Sequence, residues 1–438
     1  MGKRLTFQEM LGFLRQNLEG VPEHRTGQNT KYSIAEAGLG AFSVFYMQSP
    51  SFLAHQHDMQ RTKGQNNAQG LFGVEQIPSD GQIRNLLDPV EPTDLHEPFW
   101  QIYRRLDEGG FLDKHRGVKG TRLVSLDGSQ YFSSQEIHCP NCRVVVRDEN
   151  TYYSHMVMLA VLSAPEQKQV FCLDPEFMTP QDGHEKQDCE QQAIKRWVKR
   201  NAERFGPWQV TILTDDLHCH QPFCEQLLKH KMHFILTCKP DSHKTLYEEL
   251  GLLERVDGAI STKVVQVWNG RYHERWVYRW AGHVPLRGDA KTLLVSWCEV
   301  TLYNEDTDKQ LYHCAWATDY LLNEQLVVEV VSSGRSRWKV ENEGFNVLKN
   351  HGYNFEHNYG HGQQRLSMVL LTLLVLAFLF HSVLDLSCQM YQAVRRELAV
   401  RRTFFNDLRA LTRYLYFTSW QQLLTFMYQR LDLAPEPS

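Results

Sequence analysis

The sequence predicts a mixed α/β (α+β) protein in which a mixed sheet is flanked by helices, with helical regions at both ends and a β-rich insertion. Three observations carry this. A polar, helical texture fills residues up to about 117. Closely spaced β-type segments then lead into an alternating β-α-β-α pattern, which implies strands with helices packed on them. The alternation stops between about Leu252 and Thr318, where short strand-like runs take over before helix resumes.

In the N-terminal region, 1–117, Ser33 with Glu36 and Ser79 with Gln82 have capping-box spacing and mark two helix starts. The apolar run Leu39 to Met47 gives the first of these a buried face, and polar Gln60 to Gly70 reads as a loop. Ser79 to Leu87 is either part of a helix-turn-helix-like reader of DNA ends or a scaffold helix. The second unit, 118–251, holds the strand-like runs Arg122–Leu126, Val144–Val146, Tyr152–Leu162 and Gln169–Leu173. A helix is expected from about Glu185 to Arg204, then strand Trp208–Leu213, helix Gln221–Lys229, strand His233–Thr237 and helix Ser242–Leu250. The insertion, 252–318, carries the runs Thr262–Val267, Arg275–Tyr278 and Thr292–Trp297. Residues 319–388 return to helix through Arg337, Glu341 and Lys349 and then an apolar stretch, and 389–438 form a C-terminal helical region.

Composition narrows the class. A hydrophobic fraction of 42% and a charged fraction of 22% belong to an ordinary globular chain, and ten scattered cysteines without framework spacing suit a reducing, cytoplasmic compartment. A net charge of −4 excludes a uniformly basic coat but not a local basic face. The apolar stretch Met368 to Phe380 rises only about 20 Å as a helix, short of the roughly 30 Å hydrocarbon core, so a helix buried in protein is expected and a membrane partner is not. Arg395, Arg396, Arg401, Arg402, Arg409 and Arg413 give the C-terminal region a basic amphipathic face, suited to phosphate contact or simply to solvent.

Two acids stand at predicted strand ends: Asp127 follows Leu123–Leu126, and Asp215 lies two residues past Leu213. Functional groups gather there because the sheet fixes the backbone while the loop leaves the side chain accessible. Carboxylates so placed suit hard divalent cations, yet an Asp after a strand equally serves as a turn former or cap.

The sequence around the acids goes further. Leu126-Asp127-Gly128-Ser129, Thr214-Asp215-Asp216-Leu217 and Arg337-Trp338-Lys339-Val340-Glu341 resemble the three signature blocks of the DDE transposases of bacterial insertion sequences, in the branch with a β-rich insertion between the second Asp and the Glu. The resemblance spans about residues 118–385. It implies an RNase H-like fold, a catalytic and metal-binding set of Asp127, Asp215 and Glu341, two Mg²⁺ or Mn²⁺ ions, and cleavage at transposon ends followed by strand transfer, by a hairpin or another route. It also implies transposon-end and target double-stranded DNA as partners and a homodimer or larger synaptic complex. Arg337 and Lys349 would contact DNA, as would Trp338 by stacking on an unpaired base; a core position is the other reading of Trp338. Asp216 falls where the family has a small residue and reads as a supporting group or cap. Two departures stand out: Gly334 replaces the family's tyrosine, and Lys349 lies one residue farther from the Glu. Glu343 is therefore a rival to Glu341, although two residues apart on a helix point nearly opposite ways. A nuclease of the same fold without strand transfer, or a catalytically silent DNA-binding relative, are the competing functions.

Cys139-Pro-Asn-Cys142 is half of a zinc-like site. His138, His155 or Cys189 are candidates to complete four ligands of a structural Zn²⁺, and a plain turn with incidental thiols is the alternative. The segment His357 to Gly362 either approaches DNA or joins two helices.

Overall fold

The structure, a computed structural model, describes residues 5–27, 31–60, 65–181, 186–187, 190–288 and 291–433. Six helices come first: α1 (Phe7–Glu19), α2 (Ile34–Tyr46), α3 (Phe52–Gln60), α4 (Asn67–Phe72), α5 (Asp80–Leu87) and α6 (Glu97–Glu108). The two expected capping boxes form, with the Glu36 carboxylate accepting from the Ser33 amide at 2.8 Å and Gln82 accepting from the Ser79 amide at 3.2 Å. A third box, Thr6 with Glu9, starts α1. The predicted loop from Gln60 to Gly70 is corrected at both ends: Gln60 closes α3, and α4 begins at Asn67. The cause is local, since Asn66 caps α4 by accepting from the Ala68 amide at 2.9 Å, and Leu71 and Phe72 are buried.

One 11-stranded sheet follows. Its members are β1 (Arg122–Ser134), β2 (Arg143–Arg147), β3 (Asn150–Ser163), β4 (Phe171–Cys172) and β5 (Glu176–Met178), then β8 (Val210–Thr214) and β9 (His233–Thr237), and β10 (Ser261–Trp268), β11 (His273–Pro285), β12 (Leu294–Asn304) and β13 (Lys309–Thr318). Two short strands, β6 (Pro180–Gln181) and β7 (Lys186–Gln187), pair separately. The order is β10-β11-β12-β13-β9-β8-β1-β3-β2, with β4 and β5 on β3. Only the β1–β8 and β8–β9 pairings are parallel. Because β13 pairs antiparallel with β9, the insertion strands continue the same sheet.

The remaining helices are α7 (Glu190–Asn201), α8 (Gln221–Lys229), α9 (Lys244–Leu253), α10 (Leu326–Arg335), α11 (Asn346–Asn350), α12 (Leu366–Ser387), α13 (Gln389–Glu397), α14 (Arg401–Tyr414) and α15 (Trp420–Arg430). The helix expected from Glu185 starts at Glu190 among the described residues. Val210, Ile212 and Leu236 belong to the main core together with α12, whereas Leu213 and Ile235 join a smaller core with Val327, Val330 and Val331 of α10. Strand alternation accounts for the split, since successive residues face opposite sides of the sheet.

At 22 residues, α12 is the one helix among the described residues long and apolar enough to cross a membrane, so the expectation that this stretch is too short is corrected. What distinguishes it is burial: 89% of its most apolar window lies inside the protein. It packs against α1, α2, α5 and α13 and touches β4. A helix without a polar face needs this wrapping. At its far end His381 is sandwiched, its Nε2 donating to the Tyr46 carbonyl (3.0 Å) and its Nδ1 accepting from the Tyr391 hydroxyl (2.8 Å). A second buried junction ties α6 and α7 to the sheet. The fully buried Asp174 accepts from the Trp100 indole at 2.9 Å and Arg200 at 2.9 Å, and faces His96 at 3.1 Å.

The C-terminal arginines mostly serve the chain itself. Arg413 pairs with Asp58 at 2.9 Å, Arg409 donates to the Met47 and Gln48 carbonyls, and Arg395 donates to the Leu398 carbonyl. Helix α5 likewise acts as scaffold: Ile83, Leu86 and Leu87 are buried, and Arg84 donates to the Tyr359 carbonyl at 3.1 Å.

Burial pushes His55 and His381 down from the ordinary 6.5 to about 3. Between those pH values the unfolded chain binds protons that the folded chain does not, so stability falls as the pH drops, by about 1.4 kcal/mol per pH unit for each histidine. Urea unfolding between pH 6 and 4.5 is expected to show this fall, and His381→Gln to make it shallower; equal slopes in the two proteins would rule out His381 as a source.

Candidate active site

The parallel ladder between β1 and β8 ends at the pair Ser125 and Leu213. Asp127 and Asp215 each lie two residues beyond that pair, so they leave neighbouring strands at the same level, about 4.8 Å apart across the sheet. Here the sequence expectation is corrected in one respect: Asp127 is inside β1, which runs on to Ser134 by pairing with β3. It is a strand end only with respect to β8, where its half-buried side chain lies at the carboxyl end of the parallel ladder.

Glu341 comes from the helical segment after α10, and its charge acts on Asp127. That segment turns at Ser336 and Arg337 and becomes a π-helix over Val340–Phe345. Such wide turns are rare and recur at functional sites. Arg337 and Glu341 share a face, as their spacing predicts, and pair at 2.8 Å. Lys339 anchors the segment: its buried ammonium donates to the carbonyls of Ala164, Pro165 and Gln167, the last at 2.6 Å. Glu343 turns away, lining a separate cleft with Lys114, Gln167 and Asp385. Its charge acts on Lys339.

Burial, reinforced by the charge of Glu190, pushes the Asp127 carboxyl up to about 7; Arg337 opposes the rise, and Glu341 and Asp215 add to it. Glu190, at the start of α7, is thus a fourth acid here that sequence reasoning missed. His218 links it to the others, with its Nε2 3.2 Å from Glu190 and 3.7 Å from Asp215. Gly128 makes room, because a Cβ there would stand 2.7 Å from the Glu190 carboxylate and 2.9 Å from Met178. The Asp215 carboxylate also accepts from the Leu217 amide at 3.1 Å. Asp216 is a structural cap, accepting from the Lys239 amide at 2.7 Å and from Ser242. Asp127 thus feels three further carboxylates, those of Glu190, Glu341 and Asp215, against the one arginine, and an all-oxygen set of this kind suits a hard divalent cation such as Mg²⁺ or Mn²⁺.

Trp338, next to Arg337, is 45% exposed, which removes the core reading of this residue. Lys349 pairs with Glu356 at 3.0 Å and lies over the Phe355 ring, so it contacts none of the acids. The Gly334 departure has a steric cause. A Cβ there would stand 2.7 Å from the Trp316 ring nitrogen and 3.0 Å from Ile235, so Trp316 already fills the space a larger side chain would need.

Cys139 and Cys142 lie beyond Ser134, past the carboxyl end of β1, and His155 of β3 meets them at 3.5 and 3.4 Å. His138 does not join them; it stacks on Tyr153 with ring centroids 4.4 Å apart. Cys189 lies outside the described residues. His361, from the segment between α11 and α12, completes the cluster. A second group, Cys219, Cys238 and His243, gathers three side chains.

Comparison with known proteins returned no match, either to a family model or to a characterised protein.

The anchoring role of Lys339 is testable without substrate. Lys339→Met removes the donor for three carbonyls and is expected to cost about 2–4 kcal/mol in urea unfolding; a loss below about 0.5 kcal/mol, the range of ordinary surface substitutions, would show that the segment is held otherwise.

Proposed function

We propose that this chain is a transposase that cuts DNA at the ends of a mobile element and joins those ends to target DNA. What supports the reading is that Asp127 and Asp215 leave the parallel ladder on neighbouring strands at the same level, that the charges of Glu341 and Asp215 both act on Asp127, and that Arg337 holds Glu341 on a π-helical turn. The three signature blocks around these acids supply the reaction class.

Asp127, Asp215 and Glu341 would hold the divalent ions. When bound, a pair of such ions activates an attacking hydroxyl and stabilises the leaving oxygen of a phosphodiester. Asp127, whose carboxyl burial raises to about 7, would ionise on binding such a cation. Glu190 and His218 orient Asp215 from behind. Arg337, held beside Glu341, is placed to clamp a DNA phosphate by paired N–H donors. The exposed ring of Trp338 offers a stacking face to a base displaced at the cut. Water is the nucleophile in the first step, which breaks the P–O bond and leaves a 3′-hydroxyl at the element end. In the second step that hydroxyl attacks a target phosphodiester and displaces a target 3′-oxygen, so one bond is exchanged for another. Working on paired ends calls for two or more copies of the chain.

The test uses linear DNA carrying the sequences that border the gene, a target plasmid, and Mg²⁺ or Mn²⁺. Cleavage at the ends and joined products are expected. Asp127→Asn, Asp215→Asn and Glu341→Gln should each lower cleavage by more than the roughly 10–100-fold typical of a residue that only supports a ligand, while Glu343→Gln leaves the rate unchanged. Cleavage without joined product would identify a nuclease of the same fold. DNA binding with no metal-dependent cleavage by the wild-type chain would identify a silent relative.

A further inference from the structure

Four side chains meet beyond Ser134, the last residue of β1. Cys139 and Cys142 come from the turn between β1 and β2, His155 from β3, and His361 from the segment that leads into α12. The sulfurs are 4.0 Å apart. His155 Nε2 lies 3.5 Å from Cys139 Sγ, 3.4 Å from Cys142 Sγ and 3.0 Å from His361 Nε2. His361 Nε2 is 3.4 Å from Cys142 Sγ.

An imidazole nitrogen offers one hydrogen or one lone pair, so His155 Nε2 cannot satisfy three polar neighbours by hydrogen bonding. A cation at the centre satisfies all four at once. With Zn–S near 2.3 Å and Zn–N near 2.05 Å, a tetrahedron has edges of about 3.8 Å between sulfurs, about 3.6 Å between sulfur and nitrogen and about 3.3 Å between nitrogens. The observed separations lie within about 0.3 Å of these edges. All four residues are buried, which leaves no open position for substrate.

Two supporting contacts resemble those of built metal sites. The Cys139 amide donates to Cys142 Sγ at 3.4 Å, and His361 Nδ1 donates to the Gly362 carbonyl at 3.1 Å, which turns the Nε2 lone pair towards the cluster. The surrounding segment is fixed independently. Asp88 accepts from the Gln363 to Leu366 amides, and Asn141, inside the Cys turn, donates to the Gln364 carbonyl at 2.7 Å. The trio Cys219, Cys238 and His243 lacks this form: it has no fourth ligand among the described residues, and both His243 nitrogens face carbonyls, Nε2 that of Cys219 at 2.6 Å and Nδ1 that of Lys239 at 3.3 Å.

We propose that Cys139, Cys142, His155 and His361 bind one structural Zn²⁺ ion, which ties the β1–β2 turn and β3 to the entry of α12. Two thiolates and two neutral imidazoles in a closed tetrahedron select Zn²⁺ over Mg²⁺ or Ca²⁺. Binding replaces the two thiol protons, which pass to solvent, and no electron is transferred.

The experiment reads metal without DNA, so its outcome is separate from that of the proposed reaction. The full chain is purified without chelator from zinc-supplemented cells and its metal content is measured. One zinc per chain is expected. Replacement by Co²⁺ should give the visible bands of a tetrahedral site with sulfur-to-cobalt charge transfer, which the oxygen ligands at the acids cannot produce. His361→Ala should abolish those bands, and His138→Ala should not. His361→Cys should keep the metal and raise the charge-transfer absorption by about half, three thiolates replacing two. A wild-type chain with neither zinc nor a tetrahedral Co²⁺ spectrum, or a His361→Cys spectrum identical to wild type, would overturn the assignment.

Discussion

The structure depends most on a short parallel ladder. Four register pairs hold β1 to β8, and past the last of them two aspartates leave adjacent strands side by side. Burial first, and then the charge of Glu190 with smaller shares from Glu341 and Asp215, raises Asp127 to about 7. The fold maintains the arrangement because the residues just before each acid, Leu123 to Leu126 and Val210 to Thr214, are fully covered from both sides. Local repulsion is offset by burial a few ångströms away, which is how a stable sheet tolerates a strained edge.

Glu341 arrives by a different device. The main chain widens into a π-turn just where it passes the aspartates, and Lys339 pins the turn to carbonyls after β3 while Arg337 meets the glutamate on the exposed side. Neighbouring residues therefore have opposite tasks, one fixing the backbone in the interior and the other facing the sheet edge. Glu343 faces the other cleft for the same reason of helical geometry.

Much of this was legible in the residues. Alternating β and α texture predicted a mixed sheet, and three short blocks selected the acids. The strand through Asp127 was not legible past Leu126, because Gly128-Ser129-Gln130 reads as a turn; pairing with β3 overrides that local preference. Glu190 carries no local signal, since what brings it to the acids is the packing of α7 against β1 and β3, whereas His218 sits in the turn that follows Asp215. The Cys pair was visible from its spacing, whereas His361 lies beyond the whole insertion and only the fold shows that it returns. The apolar helix was legible as buried, but its extent to Ser387 was hidden by His381, Ser382 and Asp385, polar residues that break the apolar run without ending the helix.

The wrapping of α12 also bears on the order in which the molecule can be assembled. Helices from the first hundred residues complete their core only with partners made last: Ser387 donates to the Leu5 carbonyl, and Asn67 bridges the Thr412 and Leu415 carbonyls and the Phe417 amide. During synthesis the early helices can pack on one another, but the faces that α12 and its neighbours cover stay open until the ribosome has passed those segments. These apolar faces must wait uncovered, in the state that chaperones bind and aggregates recruit. The N-terminal region is thus one wall of a shared interior, and the sheet with its acids is finished before the housing around it.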